Sequence, residues 1–71
     1  MLIINLTASK ESNNVVAITF TALNEDWFVI LFPLVDVDFK LMKEHYIGKD
    51  FYQTKKDYEG CIYEEHGNHT F

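Results

Sequence analysis

Three stretches near the start of the chain carry apolar residues at the spacing of extended backbone. From Leu2 to Thr7 the side chains alternate, with Leu2, Ile4 and Leu6 on one face and Ile3, Asn5 and Thr7 on the other, the period of two that marks a strand. Val15 to Ala22 is rich in β-branched residues and sets Val16, Ile18, Phe20 and Ala22 against Val15, Ala17, Thr19 and Thr21. Trp27 to Phe32 is apolar at every position, so Trp27, Val29 and Leu31 point one way and Phe28, Ile30 and Phe32 the other. Ser12-Asn13-Asn14 and Asn24-Glu25-Asp26 supply turn chemistry between them, and turns this short favour an antiparallel meander. Pro33 has no N–H to donate and holds Phe32 extended, which ends the pairing.

The period then changes. Phe39, Met42 and Tyr46 fall on one stripe with Leu41 and His45 beside it, which predicts a helix capped by Asp36 or Asp38 and running to about Ile47. Lys43, His45 and Lys49 suit its C-terminal dipole, and Gly48 is the residue expected just past its end. Beyond Lys49 two readings compete. Phe51 to Lys56 and Cys61 to Glu65 form a hairpin around Asp57–Gly60, or Asp50 caps a second short helix that Gly60 ends. The hairpin is preferred. The expected fold is therefore α+β: a small antiparallel sheet built as a three-strand meander, one helix packed on one sheet face, and a C-terminal hairpin.

Strand three raises a burial problem. Continuously apolar strands belong to sheets covered on both faces, yet one short helix covers only one. The second faces of the first two strands (Ile3, Val15, Ala17, Thr19) are small and mildly polar rather than charged. Three covers are available for that second face: the C-terminal segment through Phe51, Tyr52, Tyr58, Ile62 and Phe71, a second copy of the chain, or a different protein. Burying a further ~400 Å² of apolar surface contributes on the order of 10 kcal/mol before ordering costs, so a wet face is disfavoured.

Length limits the architecture to a single domain over residues 1–71, with the thin stability margin of small folds. With 48% hydrophobic and 15% aromatic residues the chain is expected to be ordered. The lone Cys61 excludes an internal disulfide and fits a reducing, cytoplasmic setting. The longest apolar run, Trp27 to Val35, falls short of the ~20 residues of a membrane helix, and neither a signal peptide nor a membrane association is expected. The net charge is −5 and arginine is absent, which argues against direct nucleic-acid binding, where arginine supplies the commonest base and many phosphate contacts. The same composition resembles that of proteins from AT-rich genomes, including many phages.

Candidate chemistry is sparse. Cys61, His66 and His69 are potential zinc ligands, although structural zinc sites usually carry paired cysteines. Asp36 and Asp38 resemble a cation pair, but capping accounts for both. His45 and Cys61 lack the flanking pattern of a base and nucleophile. No catalytic residues, cofactor or metal are therefore assigned. The reading that remains is a non-enzymatic protein-binding module, of the kind phages and mobile elements use to inhibit a host protein. Its partner would be a host protein, one with a basic surface fitting best. The contact residues expected are Tyr58, Glu59, Tyr63, Glu64 and Glu65, where tyrosines bring area and a polar tip, with Phe28, Ile30 and Phe32 from the sheet. The alternatives are a small zinc-binding regulator using Cys61, His66 and His69, and a homodimeric accessory protein without a foreign target.

Overall fold

The computed structural model describes residues 1–67. Strands β1 (Ile3–Lys10), β2 (Val15–Ala22) and β3 (Trp27–Pro33) form the expected meander. Each turn is held by its own side chains. Ser12 Oγ lies 2.9 Å from Asn14 Oδ1, and the Asp26 amide donates to Asn24 Oδ1 at 3.1 Å. A single 3-10 turn, Leu34–Asp36, leads to α1 (Phe39–Tyr46), whose N-terminus is capped by Asp38 accepting from the Leu41 amide. Gly48, at φ +96°, follows the helix in the left-handed region where a side chain would be strained.

The C-terminal part departs from the preferred reading. Residues Phe51–Asp57 are a second helix, α2, and the expected hairpin does not form. Asp50 caps α2 by accepting from the Gln53 amide at 2.8 Å and also meets the N-terminal ammonium at 3.3 Å. Helical spacing brings Phe51, Thr54, Lys55 and Tyr58 to the inner side, which alternation would have split between two faces. A 3-10 turn, Glu59–Cys61, leads to β4 (Ile62–His66), which pairs antiparallel with β3. The sheet is thus four-stranded in the order β1-β2-β3-β4, fully antiparallel, with both helices inserted between β3 and β4.

Both helices pack on the same face. The core comprises Ile3, Leu6, Val16, Ile18, Phe20, Ala22, Phe28, Ile30 and Phe51, with Phe39, Met42, Tyr46, Tyr52, Tyr58 and Ile62 packed against it. Phe20 and Phe28 stack at 4.8 Å between ring centroids, and Phe51 meets Phe28 at 5.2 Å. Phe51, Tyr52, Tyr58 and Ile62 therefore thicken the helix-covered side and do not shield the second face; Phe71 and His69 lie outside the described residues. Strand β1 also differs from simple alternation. A bulge between Ile3 and Asn5 shifts the register, so Ile3 and Leu6 both point into the core while Leu2 and Ile4 are exposed.

Candidate protein-binding surface

The opposite face of the sheet carries no helix among the described residues. Register places Asn5, Thr7 and Ser9 beside Thr21, Thr19 and Ala17, then Trp27, Val29 and Leu31, with His66 and Glu64 on β4. Its centre is apolar. Val29 is only 7% exposed, hemmed in by Thr19 and Glu64 across the strands, and Ala17 is buried too, yet neither belongs to the main core. Leu31 is 38% exposed, and Trp27, half-buried, is covered on one side by the His66 ring at 5.9 Å.

This placement corrects part of the expected contact set. Phe28 is fully enclosed and Ile30 nearly so, and Phe32 is half-buried against the core, because the helices chose the side on which Phe20 and Phe28 stack. The accessible apolar residues are their strand neighbours Trp27 and Leu31, which flank the buried Val29 on the opposite face. Tyr63 is 60% exposed and Glu59 and Glu64 are exposed. Glu65 faces the helices and pairs with Lys55 Nζ at 3.2 Å.

Tyr58 is no free anchor either. Its hydroxyl lies 2.6 Å from that of Tyr46, tying the end of α2 to α1. Burial of Tyr46, then its hydrogen bond with Tyr58, which holds the protonated phenol, and the repulsion of the Tyr58 charge push the Tyr46 phenol up to about 12. The folded state holds that proton where the unfolded chain, at about 10, has begun to lose it. The associated stability is complete below pH 10 and is lost as pH rises from 10 through 12. Denaturant midpoints should fall across that window, and Tyr46→Phe should flatten the fall. Equal slopes for wild type and variant would contradict this account.

The two potential zinc ligands among the described residues, Cys61 and His66, do not converge, and His69 lies outside those residues. Cys61 is exposed in the 3-10 turn just before β4 and His66 stacks on Trp27 at the far end of that strand, a separation of roughly 15 Å along extended chain. Among the described residues no three His, Cys, Asp or Glu side chains are grouped to hold a metal ion. Asp36, Asp38 and His45 line a shallow groove with Leu41, Met42 and Tyr46, and Asp38 is occupied as the α1 cap. No helix is long and apolar enough to cross a membrane among the described residues.

Fold and surface together define a small α+β protein whose helices cover one side of an antiparallel sheet, with no helix on the other side among the described residues. The chain matches no protein-family model, no curated protein and no solved structure.

Proposed function

We propose that the protein is a non-enzymatic protein-binding module and that its open sheet face is the contact surface. The observation that supports this reading is the apolar strip Trp27-Val29-Leu31 on a face that no described helix covers. A sheet face meant for water alternates to charged residues; this one offers an aromatic and aliphatic centre, threonines around it and a carboxylate, Glu64, at its margin. Aromatic anchors within a small-residue surround are the usual carriers of binding energy, and the net charge of −5 suits a partner with a basic rim. A flat face of this kind acts by occluding the surface it covers. The arginine-free composition is the support for a phage or mobile-element setting with a host protein as target.

Trp27 is the only tryptophan, so the face carries its own reporter. Partner binding should shift its fluorescence to shorter wavelength. Trp27→Ser with Leu31→Ser should fold and lose the protein that the wild-type chain captures from a host lysate, by at least about tenfold in affinity, or 1.4 kcal/mol. Capture by the double variant equal to that by the wild type would remove the reading.

A further inference from the structure

The two edges of the sheet are treated differently, and the difference points to a partner. Strand β4 is short and carries Glu64 and Glu65, and charge along an edge discourages another strand from adding to it. Strand β1, at the other edge, spans eight residues and has no charge before Lys10. Its first part is already occupied. The Ile3 amide donates to the Lys49 carbonyl at 2.8 Å, the Gly48 amide donates to the Ile3 carbonyl at 2.9 Å, and Leu2 bridges Asp50. Among the described residues nothing pairs with the outer edge from Asn5 to Lys10. Where the occupied part ends, Leu2, Ile4 and Ile47 are exposed.

We infer that this free edge is where a second copy of the chain binds, β1 against β1 in antiparallel register about Thr7, giving a continuous eight-stranded sheet. The segment Asn5-Leu6-Thr7-Ala8-Ser9 is self-complementary in that register. Asn5 meets Ser9 and Thr7 meets Thr7 on the open face, and Leu6 meets Ala8 on the helix side. Threonine and serine pairs across strands are favourable, while like charges opposite each other are not. Two chains of net charge −5 repel, and this edge lets them meet with no acidic residue in the paired segment. The two Lys10 side chains end up roughly 20 Å apart.

The geometry bears on area as well. A twofold axis normal to the sheet keeps both helix layers on one side and joins the two open faces on the other. One face measures on the order of 400 Å² from strand spacing and rise. Two joined faces approach the ~800 Å² per partner of a standard interface. The inference stands on the edge and not on the identity of any foreign target.

Sedimentation equilibrium tests it on the full chain. The wild type should reach twice the 8.3 kDa chain mass at sub-millimolar concentration. Thr7→Glu, which sets two carboxylates opposite each other at an exposed position, should raise the dissociation constant at least about tenfold. In a Cys61→Ser background, Thr7→Cys should form a disulfide-linked dimer on air oxidation, since directly opposed residues lie within disulfide reach. Ser9→Cys alone should not. A chain that stays monomeric throughout, or a dimer that Thr7→Glu leaves intact, would overturn the proposal. Loss of dimer with Trp27→Ser and Leu31→Ser but not with Thr7→Glu would overturn it too, by assigning self-association to the open face.

Discussion

Phe28→Ala is expected to remove about half of the chain's folding stability. Phe28 is fully enclosed, stacked on Phe20 at 4.8 Å and tilted against Phe51 at 5.2 Å, so it links β2, β3 and α2. Truncating a buried phenylalanine costs about 3–5 kcal/mol, the lost transfer energy plus the cavity left behind. At about 0.05–0.15 kcal/mol per residue a chain of this length has only about 4–10 kcal/mol in total, and there is no disulfide to limit the unfolded state. Circular dichroism and urea denaturation measure the loss directly. The adjacent Trp27 provides the contrast: it lies on the opposite face, half-buried, so Trp27→Ser should retain a cooperative transition. Similar losses for the two variants would mean that the helices do not define a single covered side.

That contrast also marks how far the chain could be read before its structure was known. Alternation and turn residues in β2 and β3, the stripe Phe39-Met42-Tyr46, the Asp38 cap and Gly48 all reported local geometry, and local geometry is what periodicity encodes. The side of β3 that the helices cover was not legible, because both of its sides are apolar. Packing decides it: Phe28 finds Phe20 across the strand pair, whereas Trp27 finds Thr21. The bulge at Ile4 was hidden for a related reason, since Leu2, Ile3, Ile4 and Leu6 suit either parity and register is fixed by the neighbouring strand. The segment Phe51–Asp57 is too short for its period to decide between strand and helix. Its signal was the cap, Asp50 with Gln53 three residues later, a capping-box-like arrangement in which the Gln53 amide is the donor to Asp50. The open face was legible as a burial problem and misassigned in its residues. Trp27, Val29 and Leu31 lie on it because the helices cover Phe28, Ile30 and Phe32.

Glu65→Gln should destabilise the fold by about 2 kcal/mol, although Glu65 itself is half-exposed. The reason lies in its partner. The Lys55 side chain is only 6% exposed where α2 crosses the sheet, and its ammonium meets Glu65 Oε2 at 3.2 Å. Breaking a fully buried pair costs 3–5 kcal/mol, because the remaining charge is left in poor solvent. Solvent at Glu65 and the further interactions of Lys55 place the present case below that range. A register shift in the β3–β4 pairing makes the contact possible: it puts both Ile62, opposite Ile30, and Glu65, opposite Phe28, on the helix side. The pair is thus a polar clasp between α2 and the last strand, and its loss should loosen β4 first. Hydrogen exchange in β4 should quicken in Glu65→Gln while β1 and β2 stay protected. Glu64 is one residue away on the open face, opposite Val29, and surface substitutions of its kind stay within about 0.5 kcal/mol. Equal denaturant midpoints for Glu64→Gln and Glu65→Gln would show that the buried ammonium does not depend on its carboxylate.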